Sequence, residues 1–338
     1  QAQARLEYAL VGQTMGNISS VHGHYQVQEN IAYHVEKTGF VRSDIAAPEE
    51  GTFGQVRRCV DLKTHEARAV KTIPKTTSER RRLVLNEIEM LKAVSGKQEN
   101  VVRYVEYFEQ RSHFDIIFEW CDSGTLEKLA KSGSVSMKSA AFYFVQLLDA
   151  LGFLKKSGVL HRDIKPSNVL LASGLGEHYA CKLSDFGCAC KHEASKKIQE
   201  PHGTPAYVAP EVLILPKGDG YSFPADMWGA GIILYVMLFK GHHPFQNGAD
   251  VDPQLARTSR YQLGWMNVWS PGAASLINWL LLPYPSQRIE LEKAANHPWL
   301  GSYGYGSASF KEPPPKKRFV PDRNGHWGPE SSTTCGVF

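Results

Sequence analysis

The stretch His161-Arg162-Asp163-Ile164-Lys165-Pro166-Ser167-Asn168 decides how the rest of the chain is read. Within one short loop it offers a carboxylate (Asp163), a cation (Lys165) and a side-chain amide oxygen (Asn168). Further along comes Asp185-Phe186-Gly187, a carboxylate followed by a glycine. That pair suits a tight turn presenting oxygen ligands to a hard cation such as Mg²⁺. Either tripeptide alone could arise by chance, but their order and spacing together make chance remote.

Such a set fits phosphoryl transfer, which needs a carboxylate near the attacking hydroxyl and a metal ligand close by. Asp163 and Asn168 supply these, and Lys165 between them can neutralise the moving phosphoryl group.

Working outward, the pattern before this loop is strand-like. Short β-type runs are expected at Gln55–Asp61, Ala67–Ile73, Val101–Phe108 and Phe114–Glu119. One helix is expected over Glu79–Val94, with apolar residues at Leu83, Leu85, Ile88, Met90, Leu91 and Val94. Residues before Pro48 lack a clean first strand, although Tyr25-Gln26-Val27 could form one. After Gly124 the spacing turns helical, with helices expected at Ala140–Lys156, Asp226–Phe239 and Ala273–Leu282. The tail after Leu300 is rich in Gly, Ser and Pro and reads as extended or disordered.

These motifs resemble the protein kinases over roughly Gly51 to Leu300. The resemblance implies an α+β, bilobal protein kinase fold, with a β-rich N-lobe carrying one helix and a mainly helical C-lobe. The expected layout is an N-terminal extension at 1–40, an N-lobe at 41–121, a C-lobe at 122–300 and a tail at 301–338. It further implies an enzyme moving the γ-phosphate of ATP, with Mg²⁺, onto Ser/Thr hydroxyls of protein substrates. Asp163 would be the base, and Asn168 and Asp185 the metal ligands. Lys165 is the form seen in Ser/Thr rather than Tyr kinases. Ala209-Pro210-Glu211 resembles the close of the activation segment, and Gly203-Thr204 places Thr204 near the substrate hydroxyl.

On the nucleotide side, Ala69-Val70-Lys71 resembles the strand with the ATP lysine, and Glu87 is the expected ion-pair partner, with Glu89 as its rival. Gly51-Thr52-Phe53-Gly54 resembles the back half of the glycine-rich loop, whose amides approach phosphate. The family's first glycine falls on Glu49, and with Glu50 this puts carboxylates beside the triphosphate. An alternative follows, a pseudokinase or weak kinase acting as a nucleotide-gated scaffold. The same matching gives Val56, Ala69 and Leu170 to the adenine, Glu119 and Cys121 to the hinge backbone, and Phe118 to the gatekeeper position.

Within the kinases, the stretch from Glu193 to Lys197, then Asp226-Met227-Trp228, His243-Pro244-Phe245 and His297-Pro298-Trp299, resembles the calcium/calmodulin-dependent group and most closely the calcium-dependent protein kinases. No D-x-[DN]-x-[DN]-G calcium loop occurs in the sequence, so a calcium-sensor partner has no support in these residues. In the activation segment, Glu200 occupies the place where many kinases carry a phosphorylated threonine. An ion pair between Arg162 and Glu200 is expected to replace it. Thr125, Ser167 and Val236 occupy the positions that read an upstream substrate arginine, and none is acidic, so a weak arginine preference is expected. Glu211 and Arg288 are expected to form a structural ion pair, and Asp226 to cap the catalytic-loop backbone.

Composition bounds the remaining classes. The 338 residues are 42% hydrophobic and 21% charged, with a net charge of +4. That balance gives no argument for nucleic acid. No apolar run is expected to span a membrane, the longest being Met227–Phe239. The cysteines form no CxxC pair and read as free thiols in a reducing cytoplasm. Met15-Gly16-Asn17-Ile18-Ser19-Ser20 would direct membrane association only with Gly16 as a myristoylated N-terminus. The terminal Cys335-Gly336-Val337-Phe338 and the basic Lys316-Lys317-Arg318 read as accidental and as a solvated turn.

Overall fold

The computed structural model describes residues 20–21, 25–27, 55–175, 178–193, 195–213, 220–247, 250–251, 270–305, 319–321 and 327–329. Gly51, Gly54, Glu49, Glu50, Gly16, Lys316–Arg318 and Cys335 lie outside them. The chain divides into two compact units, Gln1–Asp122 and Ser123–Phe338.

Among the described residues the first unit is an antiparallel sheet with one helix. Its strands are β1 (Ser20–Val21), β2 (Tyr25–Val27), β3 (Gln55–Asp61), β4 (Ala67–Pro74), β5 (Tyr104–Glu109) and β6 (His113–Glu119), in the order β1-β2-β3-β4-β6-β5. Tyr25–Val27 does form a strand, pairing Tyr25 with Asp61 and Val27 with Cys59. Side chains alternate across the sheet. One face buries Cys59, Val70 and Ile117, with Val105 and Phe108 packed against them. The register sets Val56 opposite Lys71 and Ala69 opposite Phe118, so Val56, Ala69, Lys71 and Phe118 share the other face.

Helix α1 (Ser78–Val94) begins at Thr77, whose side chain accepts the Arg80 N–H at 3.1 Å. It buries Val84, Glu87, Ile88, Met90, Leu91 and Val94. The phase differs from the expected one, because Leu83 is 41% exposed and Val84 faces inward in its place.

The second unit is mainly helical. It contains α2 (Leu126–Lys131), α3 (Met137–Lys156), α4 (Pro210–Leu213), α5 (Pro224–Leu238), α6 (Pro271–Leu280), α7 (Leu291–Ala295) and α8 (Pro298–Gly301). Between α3 and α4 run β7 (Val159–Leu160), a 3-10 turn (Pro166–Asn168), β8 (Val169–Leu175), β9 (His178–Leu183) and β10 (Cys190–Lys191). Helix α5 is buried along its whole described length from Asp226 to Leu238, and α2, α3 and α6 pack around it. By length and composition alone α3 could cross a membrane, contrary to the sequence reading. Its buried face, packed on α5, α7 and β9, makes it a core helix of this unit. In the tail, Phe319–Pro321 pairs antiparallel with Trp327–Pro329.

Candidate active site

Two ladders deliver the chemistry of the second unit. β7 pairs with β10, Leu160 opposite Cys190, and leads straight into His161. β8 pairs with β9, Val169 opposite Leu183, and this register draws Asn168 and Asp185 to the same end of the ladder. Ser184 closes that end, donating its N–H at 2.8 Å and its hydroxyl at 2.9 Å to the Asn168 carbonyl.

The loop between the ladders is held in a strained shape. Arg162 (φ 67°) and Asp185 (φ 62°) both lie in the left-handed region, at a cost of roughly 1–3 kcal/mol each. Asp226 offsets the first, its two oxygens accepting the His161 and Arg162 N–H groups, each at 2.9 Å. Burial pushes the Asp226 carboxyl up, against these two N–H groups that hold it down. Close approach is built in at Gly229 on α5, where a Cβ would meet the Ile164 carbonyl at 2.6 Å. His161 Nε2 donates to the Ser184 carbonyl at 3.0 Å, and its ring meets Phe186 edge-on at 5.0 Å.

Asp163 is the hub, and only 4% of it is exposed. Its Oδ1 accepts the Thr204 N–H at 2.9 Å and the Thr204 hydroxyl at 2.7 Å. Its Oδ2 accepts Lys165 Nζ at 2.8 Å and Asn168 Nδ2 at 3.0 Å. Lys165 Nζ also donates to Thr204 Oγ1 at 2.7 Å. Thr204 reaches this place because Gly203 (φ 115°) takes a conformation closed to other residues, with a Cβ there colliding with the Arg162 carbonyl.

Asn168 turns Nδ2 onto both the carbonyl and the carboxylate of Asp163, so Oδ1 is the atom it can offer to a cation. Among the described residues no group of three or more His, Cys, Asp or Glu could hold a metal. An amide oxygen and one carboxylate nevertheless fit Mg²⁺, which keeps several waters and shares its shell with substrate phosphates.

In the first unit, Lys71 Nζ lies 2.7 Å from Glu87 Oε1, with side chains only 10% and 5% exposed. Glu87 faces inward because it shares the buried side of α1 with Val84, Ile88 and Leu91, whereas the rival Glu89 is exposed. At the end of β6 the Glu119 N–H donates to the Arg103 carbonyl at 2.9 Å, and its carboxylate accepts the Arg103 N–H at 2.7 Å. Cys121 follows, partly exposed. Leu170 belongs to the second unit, opposite Lys182 on the β8–β9 ladder. The described cysteines are free, with burial pushing Cys59 up to about 12 and Cys188 up to about 11.

Some expectations need correction. Arg162 does not pair with Glu200. Its Nε donates to the Cys188 carbonyl, and its Nη1 lies 3.2 Å from His202 Nδ1. Glu200 is exposed and contributes its backbone carbonyl, which accepts the Tyr221 hydroxyl at 2.8 Å. The Cys188 carbonyl and the His202 imidazole engage Nε and Nη1 of the guanidinium, and the Glu200 side chain is exposed. His202 was missed, and its place immediately before Gly203 was the available signal. Val236, expected to read substrate, is 2% exposed inside α5. Thr125 caps α2, accepting the Lys128 N–H at 3.3 Å, and Ser167 lies in the 3-10 turn. Glu211 and Arg288 form the expected pair through two bonds, at 2.7 and 2.9 Å.

Comparison with known proteins gives the same frame. The family model described as the protein kinase domain matches residues 49–300. CBL-interacting protein kinase 24 of Oryza sativa subsp. japonica is 37% identical over 257 residues, covering 74% of this chain and 54% of that protein. CBL-interacting serine/threonine-protein kinase 8 of Arabidopsis thaliana is 35% identical over 256 residues, covering 74% and 55%. Serine/threonine-protein kinase PEPKR2 of Arabidopsis thaliana is 33% identical over 260 residues, covering 75% and 52%. The chain thus matches about half the length of these relatives.

Proposed function

The chain belongs to the protein kinase domain family, and we propose that it transfers the γ-phosphoryl group of ATP to serine and threonine hydroxyls of protein substrates. The observation that carries this is the Asp163 carboxylate, buried, held by several donors and already accepting a hydroxyl, that of Thr204. A substrate hydroxyl presented to the same carboxylate is oriented, and its proton has an acceptor. Lys165 sits where charge moves during transfer. Lys71, fixed by Glu87, is a preorganised cation for nucleotide phosphate. Asn168 and Asp185 would hold Mg²⁺, which when bound neutralises phosphate charge. The scaffold alternative rested on Glu49 and Glu50, outside the described residues, and the formed Lys71–Glu87 pair speaks for catalysis.

The finer placement is in the calcium/calmodulin-dependent group. Of its branches, the relatives named above favour CBL-interacting kinases over calcium-dependent protein kinases. By that kinship a CBL-type partner is proposed for this chain. We also propose a cytoplasmic site of action, and a weak preference for upstream arginine, because neither Thr125 nor Ser167 supplies a carboxylate. The test is phosphate transfer from Mg-ATP to a Ser/Thr peptide library, with calcium and with chelator. Transfer to Ser/Thr peptides supports the reading. Nucleotide binding with no transfer under any condition would return it to the scaffold.

A further inference from the structure

Thr204 orients Asp163, and two residues before it stands His202, a half-buried imidazole. Its Nδ1 lies between two neighbours of opposite kind. Arg162 Nη1, 3.2 Å away, can only donate. The Glu200 carbonyl, 3.3 Å away, can only accept. One ring nitrogen serves one of them at a time. A bare Nδ1 accepts from Arg162 and ties the activation segment to the catalytic loop. A protonated Nδ1 donates to Glu200, within the segment itself, and lets Arg162 go.

While the ring is neutral the choice falls on Arg162, because a cationic donor makes the stronger hydrogen bond. A proton on Nδ1 reverses the choice, since the ring then sets a positive charge against the guanidinium. Imidazole is the side chain whose charge changes across the physiological pH range. Arg162, Asp163, His202, Tyr207, Tyr221 and Asp226 line one small cavity between the catalytic loop, the activation segment and α5. Both carboxylates are engaged elsewhere, Asp163 by Thr204, Lys165 and Asn168, and Asp226 by the His161 and Arg162 N–H groups. The Tyr221 hydroxyl donates to the Glu200 carbonyl at 2.8 Å, Cys188 meets Arg162 through its carbonyl, and the Glu200 side chain is exposed. Arg162 is therefore the charge that His202 meets at its Nδ1, and it sits next to the base.

We propose that His202 is a proton-operated latch. Neutral, it holds Arg162 and keeps the activation segment on the catalytic loop; protonated, it turns to the Glu200 carbonyl and releases the segment that carries Thr204. This rests on the kinase reading of Asp163 and adds control of that site by pH.

The experiment uses the whole chain, as wild type, His202→Asn and His202→Gln, in single-turnover transfer from Mg-ATP to a Ser/Thr peptide. Asparagine places an oxygen near the Nδ1 position and takes up no proton. Glutamine reaches toward the Nε2 position, past Arg162. Dividing the wild-type rate by that of His202→Asn at each pH cancels the titration of the nucleotide and of every group the two proteins share. The ratio should be near unity at about pH 8 and fall roughly fivefold by about pH 5.5, the scale of one hydrogen bond. His202→Gln should be slow at every pH. Amide hydrogen exchange over 198–204, corrected at each pH with an unstructured peptide of the same sequence, should rise in acid in the wild type. It should stay low in His202→Asn and high in His202→Gln. A ratio that stays flat with pH, or His202→Asn as slow as His202→Gln throughout, overturns the proposal. If the wild type transfers no phosphate at any pH, the kinase reading fails, and the exchange pattern alone still decides whether His202 is a latch.

Discussion

Thr204 gives Asp163 Oδ1 both its hydroxyl, at 2.7 Å, and its backbone N–H, at 2.9 Å, while Lys165 bridges the two residues at 2.7 and 2.8 Å. The base is thus fixed before a substrate arrives, and orientation costs little at the moment of reaction. Removing the hydroxyl while keeping the shape isolates this contribution. Thr204→Val should lower kcat by at least about tenfold, and Thr204→Ser should stay near wild type. Equal kcat for Val and wild type would show that Thr204 does not orient the base.

The guanidinium of Arg162 donates to the Cys188 carbonyl and meets His202, and it makes no ion pair with the Glu200 carboxylate. Glu200→Gln should therefore leave the initial rate unchanged in protein treated with phosphatase. His202→Ala should lower it, because Arg162 then loses a partner that ties the catalytic loop to the activation segment. A large drop in Glu200→Gln with no effect in His202→Ala would reinstate the ion pair expected from sequence.

Arg288 is fully buried and Glu211 nearly so, with side chains 0% and 11% exposed. Arg288→Ala leaves the Glu211 carboxylate without its cation, which should cost roughly 3–5 kcal/mol of stability. The double variant Arg288→Met with Glu211→Gln should recover much of that loss, since neither partner is then stranded. Urea unfolding of both variants measures it. Losses that simply add in the double variant would mean the pair is not coupled.

Burial pushes His243 and His297 down from the ordinary 6.5 to about 4. Above pH 6.5 both are neutral whether the chain is folded or unfolded, and their contribution is fully present. Between about 6.5 and 4 the unfolded chain takes up protons that the folded chain refuses, so stability falls as the pH drops. The slope is on the order of 1.4 kcal/mol per pH unit for each histidine. His297 also caps α8, accepting the Trp299 N–H at 3.3 Å. His297→Asn keeps a capping oxygen and removes the titration, so it should flatten the acid limb of a stability–pH curve. An unchanged limb would show that His297 does not titrate as described.

The parts of the site that could be read from sequence were those whose chemistry is contiguous. Asp163, Lys165 and Asn168 share one loop, and the spacing to Asp185 is absorbed by a single hairpin, so order along the chain reports proximity. Glu87 was legible because helical spacing puts it on the face of Ile88 and Leu91. The phase error at Leu83 came from counting apolar residues, where tertiary packing chose Val84. The partners of Arg162 were illegible because they depend on how the activation segment folds back, which no local pattern encodes. His243 was visible only as part of a group signature, since its edge-on contact with the Tyr207 ring spans α5 and needs the fold. Gln146 is similar, its side-chain oxygen accepting the Cys181 N–H at 2.9 Å in place of a ladder partner.

The most direct measurement is single-turnover transfer from Mg-ATP to a Ser/Thr peptide by the wild type and by Asp163→Asn, with nucleotide affinity measured alongside. Asparagine keeps the size of Asp163 but cannot take the hydroxyl proton. With Asp163 as the base, nucleotide affinity should stay within about threefold while the transfer rate falls by roughly 100-fold or more. Transfer at the wild-type rate by Asp163→Asn would contradict the assignment.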